Sequence, residues 1–91
     1  MPVTVRVPTP LRSTTGQKSE VPATGATVRD VIADLATRHP DLASKLTDDK
    51  GKLRRYVNFF LNDTDIRDLK EAETPVKDGD TLTIMPAIAG G

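Results

Sequence analysis

The chain has 91 residues, 36% of them hydrophobic, with 13 Lys and Arg residues against 13 Asp and Glu residues. This length provides for one small domain with a single core. The balanced charge and the three aromatic residues argue against nucleic-acid binding, which needs a basic surface and stacking rings. The absence of cysteine excludes disulfides, thiolate metal sites and a cysteine nucleophile.

The N-terminal segment predicts a β-hairpin. Residues 3–7 alternate between valine and polar side chains, the pattern of a half-buried strand. Pro8 and Pro10 end this strand because proline cannot donate to a ladder, and residues 17–22 form the predicted return strand after a turn. The start of the chain has no apolar export signal, and no apolar run approaches membrane-spanning length. We therefore expect a cytoplasmic protein without a membrane segment.

The middle of the chain predicts one main helix. Thr27 is placed to cap it, with Asp30 three residues later as the carboxylate of a capping box. The apolar positions then follow helical spacing: Val28, Val31, Ile32, Leu35 and His39. Because the residue before a proline is disfavoured in helical geometry, the helix should end at His39-Pro40. Residues 41–52 are polar, and Leu42 and Leu46 predict one short turn there.

The second half predicts the remaining strands. Residues 53–61 alternate in parity, so Phe60 should point away from the face that carries Phe59. Residues 62–65 indicate a turn followed by a short strand at Ile66, and residues 77–80 indicate a second turn before a strand over residues 81–85. A helix facing a mixed sheet of four to five strands buries both apolar faces. The prediction is therefore a two-layer α+β domain.

Within this domain the sequence offers no obvious active site. His39 is the only histidine, and its place at a helix end favours a structural role over catalysis or metal binding. The acidic residues 63–68 lack the glycine and the ligand spacing of a calcium loop. Lys50, Lys52 and the pair Arg54-Arg55 form a small basic patch, which we interpret as solvated charge. No metal or bound cofactor is expected.

The end of the chain has different properties. Residues 1–86 form the predicted domain, and Ala87, Ile88, Ala89, Gly90 and Gly91 form a predicted flexible tail, because two glycines have great backbone freedom and nothing to pack. Five extended residues reach about 17 Å. The terminal carboxylate could therefore enter a partner's channel, be adenylated with ATP and be converted by a sulfur nucleophile into a thiocarboxylate. Gly91 is the predicted reactive residue, with Gly90 beside it.

The Asp78-Gly79-Asp80 turn, the alternating strand after it and the ending 86–91 together resemble the MoaD/ThiS family of ubiquitin-like sulfur carriers, in particular its CysO-type carriers. The similarity also includes residues 3–5, 8–9, 11–12, 51–53 and 57–58 and the turn before Ile66. Because it extends over the whole chain, it is more specific than a terminal Gly-Gly alone. It implies a β-grasp fold and a C-terminal thiocarboxylate at Gly91.

The resemblance also implies partners. An E1-like adenylyltransferase of the MoeB/ThiF/MoeZ type, often fused to a rhodanese domain, would use ATP and a sulfur source to charge Gly91. An acceptor enzyme such as a cysteine synthase or a ThiG-like synthase would then take the sulfur. The free protein is expected to be a monomer and not itself an enzyme. Docking in this family uses apolar residues on the exposed sheet face and the tail, here Phe60, Ile66, Met85, Pro86, Ala87, Ile88 and Ala89.

Two other functions stay open at this stage. A ubiquitin-like modifier would use the same adenylation but end in an isopeptide bond between Gly91 and a target lysine. A β-grasp interaction module would use its tail for no chemistry. Cysteine biosynthesis is the favoured destination of the sulfur, while molybdopterin, thiamine and sulfur-containing secondary metabolites are also reached by relatives with the same tail.

Overall fold

A computed structural model describes residues 2–50, 52–54 and 57–86, the last of them through its backbone only. Its strands are β1 (Val3–Arg6), β2 (Glu20–Ala23), β3 (Val57–Leu61), β4 (Thr64–Asp65) and β5 (Thr81–Pro86), and its α-helices are α1 (Val28–Arg38) and α2 (Pro40–Leu46). Short 3₁₀ helices cover Thr9–Thr15, Ile66–Asp68 and Glu71–Glu73.

The strands form one mixed sheet in the order β2-β1-β5-β3-β4. The central pair, β1 and β5, is parallel, and the other neighbours are antiparallel. On β5, Leu82 and Ile84 are almost fully buried while Met85 is exposed, as the alternating sequence predicts. The predicted α+β architecture with a mixed sheet is confirmed.

Helix α1 covers the inner face of the sheet. Its buried side chains, Val28, Val31, Ile32 and Leu35, belong to the same apolar cluster as the inward residues of the strands. The predicted cap is present: the Thr27 hydroxyl accepts a hydrogen bond from the Asp30 amide at 3.3 Å. The Asp30 carboxylate accepts in turn from the Ala26 amide at 3.3 Å, which fixes the entry of the chain into the helix.

The structure differs from the predicted single short turn after Pro40. A seven-residue helix, α2, begins directly after His39, and it buries Leu42, Ala43 and Leu46. Proline is favourable at the first helical position because no intrahelical bond needs its missing N–H. His39 therefore caps the end of α1, where the helix was predicted to stop, and is also the N-cap residue of α2.

Three smaller boundaries also differ. Residues 9–15 form a 3₁₀ helix that Gly16 ends with a φ of 66°, where the sequence predicted only the end of a strand and a turn. The return strand begins at Glu20 and not at residue 17. The short strand β4 precedes Ile66 and does not include it. The predicted turn before β5 is present: Gly79 has a φ of 87°, and the Asp80 amide donates to the Lys77 carbonyl at 3.0 Å.

The cap at Thr27 gives a test of this fold. Replacing Thr27 by Ala removes the acceptor for the Asp30 amide, and we expect a loss of about 1 kcal/mol of unfolding free energy in urea denaturation. The control is Thr24→Ala in the same exposed loop, which keeps the hydrogen bond from the Thr24 backbone amide to the Asp34 carboxylate at 2.9 Å. Equal losses for both variants would contradict the role of the cap.

Candidate functional site

The outer face of the sheet carries an exposed apolar patch formed by Phe60 and Met85. Both have the parity opposite to the buried residues of their strands: Phe60 is half-buried and Met85 is 50% exposed. In the ladder between β3 and β5, Asn58 lies opposite Met85, and Phe60 lies opposite Thr83. Phe60 and Met85 are thus diagonal neighbours, a separation that an aromatic ring and a long side chain can bridge.

Polar side chains border this patch. Thr83 lies opposite Arg6 of β1 on its other side, and Arg6 forms an ion pair with Glu20 at 3.4 Å. The outer face thus carries an apolar pair with polar neighbours, and exposed apolar surface rimmed by polar residues is one mark of a protein contact site. The outward orientation that the parity of β3 and β5 predicted for Phe60 and Met85 is confirmed.

The prediction that Ile66 lies on this exposed face is wrong. Ile66 is 3% exposed and belongs to the hydrophobic core. Strand β4 is only two residues long, and the Asp65 carboxylate then caps a 3₁₀ helix by accepting from the Arg67 amide at 2.9 Å. This turn directs the Ile66 side chain inward, so among the described residues the patch consists of Phe60 and Met85.

The strand that carries Met85 leads directly to the end of the chain. The ladder with β1 ends at Thr83, whereas the ladder with β3 continues to Pro86, which lies opposite Val57. Ala87, Ile88, Ala89, Gly90 and Gly91 lie outside the described residues, so their predicted roles stay predictions. The described end of β5, Pro86, directly follows Met85 of the patch.

The described part of the chain contains no group of three or more His, Asp or Glu side chains that could hold a metal ion. Within the same ranges, no helix has the length and the apolar character to cross a membrane. His39 is half-buried at the junction of α1 and α2.

A two-layer fold of this sheet order, with α1 across its inner face, is the β-grasp fold of ubiquitin-like proteins. The sequence matches the ThiS family over residues 5–91. The chain therefore belongs to the ThiS family.

Individual relatives agree with this assignment. The chain is 44% identical to the sulfur carrier protein CysO of Mycobacterium tuberculosis over 93 aligned positions that cover all of both chains. A chain in the crystal structure of the Amycolatopsis orientalis BexX/CysO complex superposes with a TM-score of 0.89 at 48% identity, covering 98% of this chain and 99% of that one. The small archaeal modifier protein 1 of Methanosarcina acetivorans has a TM-score of 0.84 at 33% identity, with 98% and 95% coverage.

The different positions of Ile66 and Met85 give a second test. Ile66→Ala should cost about 2–5 kcal/mol of unfolding free energy because it leaves a cavity in the core. Met85→Ala, at an exposed site, should change it by no more than about 0.5 kcal/mol. Urea denaturation of both variants measures the difference. A small loss of unfolding free energy for Ile66→Ala would contradict the burial of Ile66 in the core and would support its predicted place in the surface patch.

Proposed function

We propose that this chain is a sulfur carrier protein whose C-terminal Gly91 carboxylate is converted to a thiocarboxylate by a partner enzyme. The observation that carries the proposal is the full-length agreement with the ThiS family and with CysO, which extends to Gly91. The central position of β5 supports it, because both neighbouring strands hold the strand from which the terminal segment continues.

The proposed chemistry has two steps. A Gly91 carboxylate oxygen attacks the α-phosphorus of ATP, the bond to the β-phosphate breaks, and pyrophosphate leaves. A sulfur nucleophile then attacks the carbonyl carbon of the acyl-adenylate, and AMP leaves with the bridging oxygen. The product carries one sulfur in place of one carboxylate oxygen. The catalytic groups for both steps belong to the partner, so the carrier is not itself an enzyme.

The activating partner in this proposal is an E1-like adenylyltransferase of the MoeB/ThiF/MoeZ type, and the favoured acceptor is a cysteine synthase. The similarity to CysO supports this acceptor. The similarity to a chain of the BexX/CysO complex supports a role in which the carrier acts in complex with a second protein. The alternative, a protein modifier linked through Gly91 to lysines, is suggested by the archaeal modifier fold but is less favoured than the carrier.

Intact mass spectrometry tests the carrier role. After incubation with ATP, sulfide and the activating enzyme, we expect a mass increase that corresponds to the exchange of one oxygen for one sulfur. The chain without Gly91 should show no such change while it keeps its thermal unfolding midpoint, because the deletion removes no residue of the described core. Higher-mass conjugates in place of the exchange would support the modifier, and an unchanged mass would support an interaction module.

The Phe60 and Met85 patch gives a separate prediction about docking. Met85→Asp should weaken binding of the activating enzyme, because a carboxylate in an apolar contact must be desolvated without a partner. Leu69→Asp is a matched control: Leu69 is 45% exposed, close to the 50% of Met85, but it lies in the connection between the last two 3₁₀ helices and not on the sheet.

Isothermal titration calorimetry with the activating enzyme compares these two variants, with Phe60→Asp as a third. We expect about a tenfold loss of affinity or more for Met85→Asp, equivalent to about 1.4 kcal/mol, and little change for Leu69→Asp. Equal affinities for Met85→Asp and the parent chain would remove the patch from the docking surface. That outcome would not change the conclusion of the mass experiment, because the oxygen-to-sulfur exchange is measured with saturating enzyme.

A further inference from the structure

A hollow of about 730 Å³ lies on the helix side of the sheet, opposite the Phe60 and Met85 patch. Its walls come from α1, Ala43 of α2 and the loop that follows that helix, and the segment after β4 closes the far side. Val57 and Phe59, the inward residues of β3, form part of the floor. The volume is in the range typical of ligand sites in proteins.

The hollow joins an apolar interior to a cationic rim. Ala33 and Ala36 of α1 are exposed and face it, together with half-buried Leu53. Its charged lining residues are Arg29, Lys50, Lys52, Arg54 and Arg67 against the single carboxylate of Glu71. Arg29 also forms an ion pair with Glu73 at 2.5 Å. In a chain of zero net charge, this concentration of cations selects for an occupant that is apolar along its length and anionic at one end.

The loop that carries Lys50 and Lys52 is held in place by Asp48. The Asp48 carboxylate accepts hydrogen bonds from the Lys50 amide at 2.8 Å and the Lys52 amide at 3.0 Å. These two bonds to the backbone lower the pKa of Asp48, with smaller contributions from the charges of Arg54 and Lys52. Beside the loop, the Arg54 guanidinium donates to the Ser44 carbonyl at 3.3 Å. Arg54 is therefore tied to α2, and the backbone at the two lysines is tied to Asp48.

The chain itself contains a segment with the required chemistry. Ala87–Gly91 has three apolar side chains followed by two glycines and the terminal carboxylate. The segment starts close to the hollow, because Pro86 lies opposite Val57 and Val57 lines the floor. Its five residues reach about 17 Å when extended, and the longest dimension of the molecule is 32 Å. The segment can therefore reach only the part of the surface that lies near Pro86.

We propose that Ala87–Gly91 docks reversibly in this hollow of its own domain, with Ile88 on the apolar floor and the terminal carboxylate between the ammonium groups of Lys50 and Lys52. The functional consequence rests on the proposed function: a thiocarboxylate keeps the negative charge, so the loaded tail is also retained and its sulfur is sheltered between partners.

Nuclear magnetic resonance without any partner enzyme tests the docking. We expect the amide resonances of Ala33, Ala36 and Leu53 to differ between the full chain and a chain that ends at Pro86. A full chain with a C-terminal carboxamide, which keeps every side chain but loses the charge, should shift toward the truncated chain. Identical amide resonances in the full and truncated chains would overturn the proposal. So would differences that grow with protein concentration, since they would indicate a tail from a second copy.

Charge variants identify the rim. Lys50→Gln with Lys52→Gln should reduce the ratio of docked to undocked tail by up to about fivefold for each lysine, the scale of an exposed ion pair. The Asp48 bonds are made to the backbone and are kept in this variant. The control, Lys18→Gln with Lys77→Gln, removes the same charge from exposed sites outside the hollow and should leave the docked ratio unchanged.

Equal effects of the two double variants would overturn the assignment of the rim. These measurements need no adenylation, so a failure of docking and a failure of the carrier function are recorded separately. If the tail docks but no sulfur is loaded, the intramolecular site is supported and its proposed role in sheltering a thiocarboxylate is contradicted. If sulfur is loaded but the tail does not dock, the carrier function is supported and the sheltered state of the tail is contradicted.

Discussion

The structure depends on the central position of β5. This strand is paired on one side with β1 and on the other with β3, and its inward residues Leu82 and Ile84 are almost fully buried beneath the helices. Burial of two large aliphatic side chains contributes about 1.5–3 kcal/mol each. The strand nearest the end of the chain is thus among the most firmly held parts of the domain. A carrier function needs this arrangement, because a partner that grips the terminal segment must not unfold the protein.

Sequence patterns predicted those parts of the fold in which local and tertiary preferences agree. Strands β1 and β5 alternate because one face is buried, and α1 has both its cap at Thr27 and an apolar stripe. Helix α2 was predicted only as one short turn because it is just seven residues long, so tertiary burial of Leu42 and Leu46 stabilises it more than propensity does. Isolated helices of that length are unstable in water, and the sequence alone therefore gives a weak signal.

The same reasoning explains which site residues could be predicted. Parity fixes the orientation of Phe60 and Met85, since each lies within a strand of five or six residues. It fails at Ile66 because a shift of one residue at the end of a two-residue strand moves a side chain from one face to the other. The rim cations of the hollow are spread from Arg29 to Arg67 in the sequence. In the sequence, the lysines and arginines at 50–55 indicated only solvated charge. The fold brings the apolar floor of the hollow next to them, and the sequence alone does not show this proximity.

The two surfaces lie on opposite sides of β3, and the end of β5 lies beside that strand. Phe60 points to the outer face, whereas Val57 and Phe59 line the hollow on the inner face. A five-residue segment that follows Pro86, which lies opposite Val57, can approach either side, but it cannot occupy the hollow and a partner's channel together. A partner bound to the outer face therefore competes with the hollow for the tail, and its affinity must exceed that of the intramolecular contact. Because ion pairs at an exposed rim contribute at most about 1 kcal/mol each, this contact can shelter the carboxylate of the free carrier and still release it to a catalyst.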